Sequence, residues 1–116
     1  MNSDDYQRQA ARTLIDEPAF LLTNDEIMLA WNAMGLAGEA GEVADDVKKT
    51  VFHRHPFDGE QREKLRKELG DCLWYIAAIC TRFGWSLSEV MQANIDKLTR
   101  RYPDGYSSDA SIHRRD

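Results

Sequence analysis

The chain has 116 residues, with 15 basic and 20 acidic side chains and a formal charge of −5. That length fits one ordinary domain rather than two, and a protein of this size buries roughly 60 to 70% of its unfolded surface, enough for a core without metal or disulfide staples. The acid excess argues against coating nucleic acid, which takes clustered Lys and Arg, so no nucleic-acid partner is expected.

The first residues, Met1-Asn2-Ser3-Asp4-Asp5, are acidic and lack the apolar stretch of a signal peptide. A first helix is predicted from about Asp4 to Asp16, ending before Pro18, with Tyr6, Ala10, Thr13 and Leu14 as a modest apolar stripe. Thr23 and Glu26 then form a capping box that opens a second helix reaching about Phe52. Within it lies the longest charge-free run, Ile27 to Gly38, of 12 residues. A bilayer span needs about 20, so no membrane helix is expected.

Asp58, with Gln61 behind it, caps a third helix that runs through Leu65, Leu69, Leu73, Ile76 and Cys80 to Phe83, where Gly84 is its natural stop. Ser86 and Glu89 open a fourth, which carries Val90, Met91, Asn94, Lys97 and Leu98 and ends at Tyr102-Pro103. The spacing thus predicts an all-α, four-helix bundle-like protomer over residues 1–103, followed by a polar arm or tail over 104–116. Cys72 and Cys80 sit on one helix with about 12 Å of rise between them, too far for a disulfide, which suits a reducing cytoplasmic setting.

Two helices have the wrong polarity for a simple core. Between Ile27 and Ala44 the only polar side chains are Asn32, Glu39 and Glu42, so this stretch is expected to be buried on most sides. It also spends Gly35, Gly38 and Gly41 at a spacing of three, each costing about 1 kcal/mol against Ala. Such a line of glycines lets another backbone or a ligand come close. Between Leu69 and Thr81 the single charge is Asp71, and Glu68 precedes this stretch by one residue.

Glu39 with Glu42, and Glu68 with Asp71, therefore form two carboxylate pairs, each at the three-residue spacing that shares a helix face. On consecutive antiparallel helices the pairs would meet. Two unit charges 4 Å apart repel by about 4 kcal/mol at an effective dielectric of 20, so four converging carboxylates need protons or cations. All-oxygen ligation selects hard ions, Mg²⁺ or Mn²⁺. Asp46, two turns beyond Glu39, either adds a fifth oxygen donor or faces solvent. A di-iron bundle needs Glu-x-x-His, and none of His53, His55 and His113 has a glutamate three positions before it. The Cys and His spacings also lack the pattern of a zinc site. His53-Arg54-His55 reads as a solvated connection from which Arg54 could reach an anion.

Glu39-x-x-Glu42, a 25-residue gap and Glu68-x-x-Asp71 resemble the signature of the all-α, MazG-like nucleoside triphosphate pyrophosphohydrolases. The resemblance continues through Asn94-Ile95-Asp96-Lys97-Leu98 and Arg101-Tyr102-Pro103-Asp104-Gly105-Tyr106. It implies Mg²⁺-dependent cleavage of a nucleoside triphosphate to monophosphate and pyrophosphate, with Glu39, Glu42, Glu68 and Asp71 as metal ligands and one of the first pair, Glu39 favoured over Glu42, also as the base for the attacking water, a choice that sequence leaves open. It further implies Asn94 and Lys97 as phosphate contacts and a homo-oligomer, either a dimer or a tetramer built from two dimers. Tyr75, one turn beyond Asp71, is placed to stack on base or sugar or to fill the core, and Trp31 faces the same choice with the core favoured. Some relatives carry a further acid where this chain has Gly38, which bears on how many metals bind.

Two other readings compete. A phosphoribosyl-ATP pyrophosphohydrolase shares the carboxylates. A non-catalytic helical interaction module would instead pair them with Lys48, Lys49, Arg66 or Lys67.

Overall fold

Capping side chains stand where the helices begin in the computed structural model, which describes residues 1–114 as α1 (Ser3–Ala11), α2 (Asn24–Phe52), α3 (Gly59–Phe83), α4 (Leu87–Arg101) and α5 (Ser108–Ile112). The Thr23 hydroxyl accepts from the Glu26 N–H at 3.1 Å while the Glu26 carboxylate accepts from the Thr23 N–H at 3.0 Å, so the capping box is complete. Asp58 accepts from the Gln61 N–H at 3.1 Å and Ser86 from the Glu89 N–H at 3.4 Å. At the far end of α3, Gly84 adopts the left-handed conformation (φ 69°), and its N–H reaches the carbonyls of Cys80 and Thr81. Only glycine does this without steric cost.

Two boundaries depart from the sequence expectation. α1 stops at Ala11 rather than near Asp16, because Thr13 turns its hydroxyl back onto the Ala10 carbonyl at 2.9 Å and leaves Leu14 and Ile15 outside the helix. The expected count of four helices is also corrected to five among the described residues. Gly105 takes φ 88° in a turn closed by its N–H on the Tyr102 carbonyl, and Ser107 then caps α5 by accepting from the Ala110 N–H at 3.1 Å. A serine-rich segment that reads as an extended tail thus holds a short helix, because Ser107 is a cap and not a linker residue. The last two residues of that segment, Arg115 and Asp116, lie outside the described residues.

The connection over residues 53–58 folds α3 back onto α2, and theirs is the one extensive helix–helix contact among the described residues. The hairpin is antiparallel: Asn32 meets Arg82, Gly35 meets Tyr75, and Asp46 meets Lys64. Little is buried beyond that seam. Cys80, Asn32 and Glu68 are the buried residues among those described, and two of the three are polar. The expectation that α2 is enclosed on most sides is therefore not met within one chain, where Trp31 is 64% and Met34 72% exposed. The physical reason is that, among the described residues, no third helix packs extensively on the hairpin as it would in a bundle.

The dimensions agree. The radius of gyration is 20.5 Å, against about 13 Å for a compact chain of this length. The accessible surface is 9910 Å², against about 6,500 Å² for a typical folded monomer. Both cysteines are free, and no helix among the described residues is long and apolar enough to cross a membrane.

Candidate active site

The antiparallel register sets the acids of α2 opposite those of α3. Glu39 lies close enough to Glu42 and to Asp71 to feel both charges, and Glu68 feels Glu42 and Asp46. Two neighbouring depressions divide the group. One is lined by Glu39, Asp71, Trp74 and Tyr75. The other holds Glu42, Asp46 and Glu68 together with Gly38, Gly41 and the lysines 49 and 64.

The three glycines of α2 serve different ends. A Cβ at Gly35 would overlap the Tyr75 ring, so this glycine admits the aromatic side chain of α3. A Cβ at Gly38 or Gly41 would meet nothing within 4 Å. Those two leave open floor beside the carboxylates, where a ligand can approach the helix backbone.

The neighbouring basic side chains are mostly engaged by other acids. Asp45 takes Lys49 at 2.7 Å and Lys48 at 3.3 Å, and Arg66 pairs with Glu63 at 3.8 Å. Those are three of the cations that an interaction module would use on the motif acids. Among the described residues, none of Glu39, Glu42, Glu68 and Asp71 has a salt bridge to Lys or Arg. Burial, followed by the charges of Glu42 and Asp71, pushes the Glu39 carboxyl above its ordinary range. Glu68, 7% exposed, is pushed up to about 7 by its hydrogen bond with Asp46, by burial and by the Asp46 charge. Asp46 is lowered in return, through that same hydrogen bond and the Lys64 ammonium. Oδ2 of Asp46 and Oε2 of Glu68 are buried with no hydrogen-bond partner.

Repelling carboxylates with orphaned buried oxygens are the donor chemistry of a hard divalent cation. Among the described residues, no three acidic, histidine or cysteine side chains already converge on one point. The candidate donors stand on two facing helices.

Of the other residues that the sequence singled out, Tyr75 is at the site, half-buried and edge-on to Trp74 with ring centroids 5.0 Å apart. Asn94 is exposed and Lys97 half-buried on α4, and neither lines the carboxylate depressions. Trp31 is exposed, against the core placement favoured for it. Arg54 takes φ 57° in the turn after α2 and lines neither depression.

Sequence reasoning missed Trp74. This ring borders the Glu39 and Asp71 depression and also the adjoining one, where buried Asn32 accepts a hydrogen bond from Arg82. The signal was present, since Trp74 follows Asp71 at the same three-residue interval that joins Glu68 to Asp71.

The comparisons with known proteins point the same way. The family described as the MazG nucleotide pyrophosphohydrolase domain matches residues 30–106. The chain is 39% identical over 109 residues to the Gene 37 protein of Mycobacterium phage L5, covering 90% of this chain and 92% of that protein. It is 37% identical over 73 residues to the uncharacterized protein YvdC of Bacillus subtilis, covering 58% of this chain and 69% of that one. No solved structure matches. The matched span contains both carboxylate pairs, Trp74, Tyr75 and all of α4, and the chain belongs to the MazG nucleotide pyrophosphohydrolase family.

Proposed function

We propose that the protein is a Mg²⁺-dependent nucleoside triphosphate pyrophosphohydrolase that cleaves between the α and β phosphates, releasing a nucleoside monophosphate and pyrophosphate. The observation that carries this reading is the pair of facing acidic motifs, none of whose four acids is held in a salt bridge among the described residues, opening onto glycine floor. Glu39, Glu42, Glu68 and Asp71 would hold the cation, Mg²⁺ or Mn²⁺. When bound, such an ion would supply positive charge to offset the phosphates and polarise the reacting groups.

The chain's own groups divide the remaining work. Glu39, whose carboxyl is already pushed toward holding a proton, accepts one from the attacking water at its carboxylate oxygen. The water oxygen bonds to the α phosphorus as the α–β bridging P–O bond breaks, and pyrophosphate departs with the electron pair. Tyr75 and Trp74 offer ring faces to base or sugar beside Glu39 and Asp71. Asn94 and Lys97 contact the phosphates.

Because those two residues stand on a helix that makes no extensive contact with the hairpin, this reading includes assembly into a homo-oligomer, a dimer or a dimer of dimers. The protomer's surface excess of about 3,400 Å² over a typical monomer is what an obligate interface would remove. Apolar side chains such as Leu21, 93% exposed, belong to that excess.

The test is a turnover screen across ribo- and deoxyribonucleoside triphosphates and phosphoribosyl-ATP, resolved by product. Pyrophosphate release that needs Mg²⁺ and disappears in E39Q and D71N, with the oligomer intact, supports the reading; undiminished turnover in either variant, or orthophosphate as the product, overturns it. A substrate limited to phosphoribosyl-ATP would place the protein in histidine synthesis.

A further inference from the structure

Glu68 is the most enclosed of the four motif acids, at 7% exposed, and its Oε2 meets no donor. The group it meets across the hairpin is not a motif residue. Asp46, one turn beyond Glu42 on α2, brings its carboxyl within hydrogen-bonding reach of Glu68. Its Oδ1 has the Lys64 ammonium at 3.4 Å, while its Oδ2 is buried without a partner. One oxygen of Asp46 is thus taken and the other is left open.

Asp45 supplies the contrast. It is the adjacent residue and borders the same depression, but two lysines hold it, at 2.7 and 3.3 Å. Helical geometry explains the difference: Asp45 lies three and four residues from Lys48 and Lys49 on its own helix. Asp46, rotated about 100° from it, turns toward α3 instead.

Once both are ionised, Asp46 and Glu68 only accept hydrogen bonds, so they cannot satisfy each other. Two buried acceptors without donors are costly, and two adjacent negative charges add to that cost. A single divalent cation between them removes both penalties.

We propose that Asp46 is a fifth carboxylate of the cation-binding centre, sharing an ion with Glu68, and that the Lys64 ammonium is a placeholder charge until the ion enters. This inference rests on the pyrophosphohydrolase reading for what the centre does, and on Asp46, Glu68 and Lys64 for where the ion sits.

The experiment is a titration of the full chain with Mn²⁺, read by the electron paramagnetic resonance signal of the free ion, beside pyrophosphate release. D46N and E68Q each weaken Mn²⁺ binding by about tenfold or more, while D45N, which removes the same charge from an exposed pair, stays within about twofold. K64M tightens binding because it removes the competing ammonium. Equal weakening by D46N and D45N would reduce Asp46 to a general field effect and overturn the proposal, as would unchanged binding in D46N. Circular dichroism checks folding, and if D46N does not fold, K64M decides: unchanged or weaker binding there overturns the proposal. If the wild type cleaves triphosphates and E68Q loses Mn²⁺ while D46N keeps it, only the role of Asp46 falls. If the wild type cleaves none and E68Q binds Mn²⁺ as the wild type does, the functional reading and the inference fall together.

Discussion

Replacing Gly35 by alanine tests both the packing of the hairpin and the link from packing to site. A Cβ at this position overlaps the ring of Tyr75, and the ring cannot swing freely because Trp74 stands edge-on to it at 5.0 Å. Forcing a methyl group into such a contact costs about 1 to 3 kcal/mol. Alanine also gains about 1 kcal/mol over glycine inside a helix, so the expected net loss in G35A is about 0 to 2 kcal/mol.

The two effects separate in a double-mutant cycle with Y75A. Without the ring only the helix-propensity gain remains, and G35A should then stabilise by about 1 kcal/mol, giving a coupling of about 1 to 3 kcal/mol. Urea unfolding at one fixed protein concentration measures all four corners. Because Tyr75 lines the depression that holds Glu39 and Asp71, the displaced ring should also raise KM more than it lowers kcat. If G35A shifts the midpoint equally with and without Tyr75, the close approach of α3 to Gly35 is wrong.

Three further outcomes are expected. The Glu68 carboxyl, at about 7 in the fold against an ordinary 4.5, keeps a proton that the unfolded chain has lost, so without divalent cation its contribution to stability falls as pH rises through that window. Melting in EDTA from pH 5 to 8 should show this decline in the wild type and a smaller one in E68Q; parallel curves would contradict it, and the Asp46 shift acts only near and below its ordinary 3.8. R82M removes the donor to buried Asn32 and should cost about 1 to 3 kcal/mol, read as a lower urea midpoint; an unmoved midpoint would mean that water replaces the guanidinium at no cost. G84A forces a Cβ into the left-handed conformation at the end of α3 and should cost about 1 to 2 kcal/mol, with G84N milder; equal stability of all three proteins in thermal melts would remove Gly84 as the stop.

Local chemistry was the legible part of this chain. Thr23, Asp58, Ser86 and Gly84 act within one turn of themselves, so the start of α2 and both ends of α3 could be read from neighbours in sequence. The same holds for the two acidic pairs, because three-residue spacing on a helix already places both members on one face. Ser107 was legible in principle, but a five-residue helix carries too little periodicity to separate a cap from a linker.

What only the tertiary structure decided depends on register between helices. That Gly35 receives a ring while Gly38 and Gly41 face open space follows from where α3 crosses α2, and no spacing rule contains that crossing. Asp45 and Asp46 look alike in sequence, yet one is neutralised by lysines of its own helix and the other confronts Glu68 across the seam. The burial expected of α2 failed for a related reason. Hydrophobicity says that a surface must be covered, but not whether the same chain covers it, and here α2 and α3 form a pair whose outer faces remain open.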